Sequence, residues 1–176
     1  MAMRWKGFYF WYQPVKMKPQ EVEKKFQIAR LPSGLSKYPH ERIHQGYLAR
    51  TGSNVEIRVR KKGKHYFLTV KQGTGLKRTE LEIKLTQKEF RVLWPMTKGV
   101  RIEKVRSRIP YHGLVIEIDL YQGKLKGLKK AEVEFSSAKQ GQAFQPPVWL
   151  GKEITSKSEY SNWSLAKFGL PKKSRR

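Results

Sequence analysis

The 176-residue chain has no cysteine. Disulfides, cysteine-ligated zinc and thiol catalysis are thereby excluded, and a reducing cytoplasmic setting is expected. No apolar run approaches the roughly 18–20 residues of a membrane span, so no membrane partner is expected. The aromatic run Gly7–Tyr12 is too short for the core of a secretion signal, and no small-residue cleavage site follows it. Acid is scarce: 14 Asp and Glu stand against 38 Lys and Arg, a net charge of +24. That balance points to an anionic partner without choosing among RNA, polyphosphate and a merely basic surface. His40, His44, His65 and His112 lack metal-ligand spacing and read as loop or surface residues. The stretch "QGTGLK" lacks the spacing of a phosphate-binding loop and reads as a hairpin turn.

What the chain does have is alternation. In "EVEKKFQI", Glu21, Glu23 and Lys25 share one parity, and Val22, Phe26 and Ile28 share the other. The same period of two runs through "VEIRVR", "YFLTVK", "TELEIKL", "EKVRSR", "LVIEIDLY" and "AEVEF", with "HQGYLA" as an eighth segment that puts Gln45 and Tyr47 on one face. Successive strand side chains point to opposite faces, so each segment has one apolar and one ionic side. Four acid pairs fall at i,i+2: Glu21/Glu23, Glu80/Glu82, Glu117/Asp119 and Glu132/Glu134. Random placement gives about one such pair. Nine of the 14 acids but only eight of the 38 bases lie on these ionic faces, so the faces are nearly balanced and the positive excess lies elsewhere.

Repeated like charges destabilise a solvent-facing sheet. A barrel lined with both signs gives them a use: acids for divalent cations, Lys and Arg for a polyanion. The expected fold is therefore α+β, mostly β, with helices packed over the outer apolar faces. Three covers are expected. "TQKEFRVLWPMT" opens with a capping-box pattern from Thr86 to Glu89, "SAKQGQAFQPP" is a short helix ended by Pro146, and "SEYSNWSLAKFG" ends at Gly169.

These segments resemble the CYTH, or triphosphate tunnel metalloenzyme, superfamily. "EVEKKF" is similar to its ExExK signature, and "QGYL", "EIRVR", "FLTVK", "ELEI", "EKVR", "EIDLYQG", "AEVEFSS", "WLGKEIT" and "YSNWSLA" follow in the family's order. The resemblance covers about residues 20–169. It implies an eight-stranded antiparallel closed tunnel over residues 20–170, flanked by a basic aromatic extension (1–19) and a basic tail (171–176), both expected to be solvated. It implies hydrolysis of a triphosphate with Mg²⁺ or Mn²⁺, inorganic tripolyphosphate ranking first. The other readings are a thiamine or nucleoside triphosphatase, a class IV type adenylate cyclase, and a non-catalytic module binding polyphosphate or RNA. Nucleic acid is not the favoured partner, and the assembly is a monomer or homodimer.

On that resemblance Lys25, Arg58, Arg60, Lys71, Lys104 and Arg106 grip the triphosphate, because Arg offers a planar fork and Lys a compact charge. Lys152 closes over one mouth. Glu21, Glu23, Glu132 and Glu134 hold the metal, with Asp119 as a further ligand; hard cations take oxygen donors. Lys104 and Glu82 are the candidate general bases, Lys104 because neighbouring cations depress a lysine pKa. Tyr47 is placed to bond a terminal phosphate oxygen. Glu80 and Glu82 are otherwise expected to balance bases in the wall.

Overall fold

The computed structural model describes residues 16–18, 22–52, 55–74 and 77–171. Glu21, residues 1–15 of the expected extension and residues 172–176 of the expected tail lie outside the described residues. No described helix is long and apolar enough to cross a membrane.

Ten strands form one sheet: β1 (Lys16–Lys18), β2 (Val22–Ile28), β3 (His40–Arg50), β4 (Val55–Lys62), β5 (His65–Thr74), β6 (Lys77–Leu85), β7 (Arg101–Tyr111), β8 (Leu114–Tyr121), β9 (Lys129–Phe135) and β10 (Leu150–Glu153). Their order is β1-β6-β5-β4-β3-β7-β8-β9-β2-β10, and each recorded pairing is antiparallel. The eight strands β2–β9 are those the alternation marks out, and all eight turn their ionic face onto a single cavity. Two strands were not expected. Lys16–Lys18, upstream of the boundary at residue 20, pairs with β6, and Leu150–Glu153 pairs with β2. Both are too short for a period of two to register. His40 and His44 lie in β3 and His65 opens β5 rather than sitting in loops, and His40 and His65 are exposed as surface residues. His112 and Gly113, with φ of 47° and 74°, make the two-residue turn of the β7–β8 hairpin, whose geometry requires positive φ at both positions.

The outer apolar face of β2, β8 and β9 buries Phe26, Ile116, Ile118, Val133 and Phe135, covered by Phe144 and Trp149 from the segment that begins with helix α2 (Ala138–Ala143). Each such large side chain contributes about 1.5–3 kcal/mol on full burial. Helix α1 (Gln87–Leu93) starts at the expected capping box: Thr86 Oγ1 accepts from the Glu89 amide, and Glu89 accepts from the Thr86 amide. Its Phe90 stacks between Tyr66 and Trp94, centroids 4.9 and 5.1 Å away. The third expected cover does something else. Helix α3 (Asn162–Phe168) buries Leu165 and Ala166 against Tyr47, Ile102, Tyr121 and Leu125. Tyr47, Ile102 and Tyr121 share the register positions of inward-facing residues, so α3 caps one end of the cavity instead of covering the outer face of the sheet.

Candidate active site

The cavity measures about 530 Å³. Among the described residues its lining carries nine cationic side chains and seven carboxylates. Strand register puts them in rows. On one wall Lys104, Arg106 and Arg108 alternate along β7; Arg106 lies opposite Asp119 and Arg108 opposite Glu117 on β8. Across β9 and β2, Glu132 faces Lys25 and Glu134 faces Glu23.

Asp119 has no exposed surface and accepts from Lys104 Nζ at 2.5 Å and from Arg106 Nε and Nη2, each at 2.6 Å. Arg106 also donates to Glu132 at 2.7 Å and to Glu117. Burial alone would lift the Asp119 and Glu132 carboxyls; the adjacent cations outweigh it and hold Asp119 low and Glu132 well below the usual carboxylate range. Lys104 moves the other way. Burial, followed by the Arg106 charge, brings its ammonium down to about 8, against the restoring pull of Asp119 and Glu132.

The opposite wall is β4–β6. Lys71 pairs with Glu80 at 2.6 Å, Arg58 lies 3.7 Å from Glu80 and 3.9 Å from Glu56, and Arg60 pairs with Glu82 at 2.5 Å. Thr69 Oγ1 adds a 3.2 Å bond to Glu82. Glu80 and Glu82 thus pair with wall cations. The buried Nε of Arg60 makes no hydrogen bond among the described residues. A buried N–H donor on a side chain that lines a polar cavity fits an anionic oxygen.

At the α3 end Gln45 donates to Tyr47 Oη at 2.7 Å, and the Tyr47 ring meets Trp163 edge-on at 5.2 Å. Burial, then the Glu56 charge, pushes the Tyr47 phenol well up, so it stays a neutral donor.

The structure brings together Glu23, Lys25, Tyr47, Arg58, Arg60, Lys71, Glu82, Lys104, Arg106, Glu132 and Glu134 around this one cavity. Asp119 lies behind the lining, with its oxygens bonded to Lys104 and Arg106. Lys152 is exposed on β10 and does not line the cavity. Sequence reasoning passed over Lys62, although it continues the parity of Glu56, Arg58 and Arg60. It also passed over Ser161, Asn162 and Trp163, which line the cavity from α3 and its cap. No strand pattern could have signalled those three, since they arrive by tertiary packing. No group of three or more carboxylate or imidazole side chains converges in metal-binding geometry among the described residues. The donor chemistry still fits a hard cation: Glu23, which Lys25 also pairs, and Glu134 stand directly opposite one another on the cavity face and present the carboxylate oxygens such a cation takes.

No family model matches the chain. It is 42% identical over 149 residues to an inorganic triphosphatase of Nitrosomonas europaea, spanning 83% of this chain and 96% of that protein. An inorganic triphosphatase of Acetivibrio thermocellus is 30% identical over 155 residues, spanning 84% and 94%. The crystal structure of an inorganic triphosphatase superposes with a TM-score of 0.65 at 38% identity, over 84% of this chain and 94% of that one. A Bacillus halodurans protein solved as a proposed adenylate cyclase shares the fold, with a TM-score of 0.53 at 14% identity over 81% of this chain and 98% of that one. With the tunnel, its charge rows and two relatives matched over most of their length, the chain belongs to the inorganic triphosphatases of the CYTH, or triphosphate tunnel metalloenzyme, superfamily.

Proposed function

We propose that this protein hydrolyses inorganic tripolyphosphate to pyrophosphate and phosphate with the help of a divalent cation, Mg²⁺ or Mn²⁺. The observation that carries the reading is the cavity in which cations from β2, β3, β4, β5 and β7 converge with carboxylates from β2, β4, β6, β8 and β9. Arg58, Arg60, Lys71, Lys25 and Arg106 bind the phosphate oxygens, and the fixed strand backbone keeps them in place without reorganisation during reaction. Glu23, Glu132 and Glu134, together with Glu21, hold the cation. When bound, it supplies charge neutralisation at the phosphoryl oxygens. Asp119, which lies behind the cavity lining with its oxygens bonded to Lys104 and Arg106, acts through those two.

Water attacks the terminal phosphorus, the bond to the bridging oxygen breaks, and pyrophosphate leaves. Lys104, with its pKa brought down to about 8, is the group with a neutral amine available near neutral pH to take the water proton. Tyr47 donates to a terminal oxygen. Glu82, engaged by Arg60 and Thr69, orients rather than accepts. Lys152, away from the lining, has no part in this scheme.

The test is product analysis with tripolyphosphate, thiamine triphosphate and ATP in Mg²⁺ or Mn²⁺. Phosphate and pyrophosphate from tripolyphosphate are expected, with that substrate turned over fastest. Cyclic AMP as the main product from ATP, or faster turnover of an organic triphosphate, would overturn the assignment.

A further inference from the structure

Lys130 is the one wholly buried lysine of β9 that the scheme above leaves without work. It shares the inward parity of Glu132 and Glu134, sits opposite Asp119 on β8 and Gln27 on β2, and has no exposed surface. It is not a lining residue of the cavity. An ammonium has three donors, and here three acceptors surround it. They are Glu132 Oε1 at 3.0 Å, the Tyr160 carbonyl at 3.2 Å and Asn162 Oδ1 at 3.4 Å. Its charge also lies 5.8 Å from the centre of the Tyr121 ring, and Tyr121 Oη donates to the same Asn162 oxygen at 2.6 Å. With two hydrogen bonds, a carboxylate oxygen at 3.0 Å and no face on the cavity, Lys130 is not placed to bind a phosphate. Burying a cation this completely is costly unless every donor is met, so the arrangement depends on Glu132 and the 160–162 segment being held at once.

Glu132 is held from both sides. Arg106 takes Oε2 at 2.7 Å and Lys130 takes Oε1, which fixes the plane of a carboxylate that lines the cavity. On its other side Lys130 holds the chain just before α3, and Gln27 Nε2 adds a bond to Tyr160 Oη at 2.8 Å. The α3 cap in turn presents Ser161, Asn162 and Trp163 to the cavity.

We infer that Lys130 is a positioning residue that ties the Glu132 carboxylate to the Tyr160–Asn162 segment, so that the wall acid and the end cap of the cavity are set by the same ammonium. The kinetic consequence rests on the triphosphatase reading; the coupling of cap and wall does not.

The test compares the wild type with Lys130→Met, which keeps length and apolar packing but removes the charge and the donors. Hydrogen exchange over residues 158–168 and steady-state kinetics with tripolyphosphate at 20 °C are both measured. Protection in that segment is expected to fall about tenfold or more as its opening is eased. The value of kcat should fall about ten- to a hundredfold, the usual effect of losing a group that orients a ligand-holding side chain, with KM changing far less. A merely structural lysine would lower the melting temperature and leave kcat of the folded enzyme intact. A folded Lys130→Met enzyme with unchanged kcat, or with unchanged protection, overturns the inference. If it does not fold, Lys130→Gln, which retains a donor for the cap, is read by the same criteria; failure of both to fold overturns positioning in favour of a core role. A wild type inert toward tripolyphosphate refutes the triphosphatase reading, and exchange alone then decides the coupling.

Discussion

Lys104 shows how much one side chain can be set by its surroundings. It is 2% exposed, bonded to Asp119, and close to Arg106. Burial and the guanidinium bring its pKa from the ordinary 10.5 down to about 8. A depressed value means the amine loses its proton at lower pH, so activity that needs the neutral form rises with pH through about 8. In Lys104→Met that rising limb should vanish, and kcat should fall about 10²–10⁴-fold, the usual contribution of a general base. A limb that survives the substitution assigns the base elsewhere. The sign for stability follows from the same shift. Between about pH 8 and 10.5 the unfolded chain binds more protons than the folded one, so on this group's account stability rises with pH across that window. Urea titrations of both proteins at each end of the window report the difference. The sequence revealed Lys104 and Arg106 through their alternation with Val105, and cationic crowding suggested the direction of the shift. It did not reveal that Asp119 would be consumed as their partner, because Asp119 and Glu117 look alike in "EIDLY". Only register distinguishes the acid opposite Arg106 from the one opposite Arg108.

At the scale of elements, a period of two was enough to mark β2 and β4–β9 and to sort their faces, because apolar and ionic residues alternate through most of each strand. It showed only the middle of β3, where "HERI" breaks the pattern: Ile43 faces inward opposite Lys104 and is buried. The contact that fixes β3 was not legible at all. Gly46 lies between Gln45 and Tyr47, and a Cβ built on it would sit 2.4 Å from Thr97 Oγ1 and 2.5 Å from Thr97 Cβ. Thr97 cannot retreat. It is fully buried, donates to the Trp94 carbonyl at 2.8 Å and accepts from Arg101 Nε at 2.8 Å. The glycine is thus needed for closeness and not for an unusual backbone angle. Gly46→Ala should cost about 1–3 kcal/mol, the range for overpacking a tight core, measured as a lower urea midpoint. Because Gln45 and Tyr47 flank the position, tripolyphosphate KM should rise as well. An alanine variant as stable as the wild type would mean that the Trp94–Thr97 turn gives way easily.

For the whole molecule, the composition misleads and the distribution informs. An excess of 24 positive charges suggests a chain built to hold polyanions on its outside. Among the described residues that line the cavity nine bases meet seven acids, an excess of two. The wall is therefore poised: its acids hold the cations in place, and the remaining positive charge is met when a polyanion enters. Binding to the folded state alone raises apparent stability by about 2.7 kcal/mol at a ligand concentration a hundred times Kd. Tripolyphosphate without added metal should consequently raise the melting temperature by several degrees. Orthophosphate, which reaches fewer of the wall cations at once, should raise it much less. The exterior charge adds a second, separable effect. It draws anions from solution and speeds association, and this attraction decays over about 10 Å at 0.1 M salt. Raising the ionic strength should slow association strongly while leaving dissociation from the cavity nearly unchanged. Stopped-flow association at several salt concentrations, beside the melting series, separates the two. If salt instead accelerates dissociation and leaves association unchanged, the bound polyanion is held by the exposed surface, and the cavity does not account for its affinity.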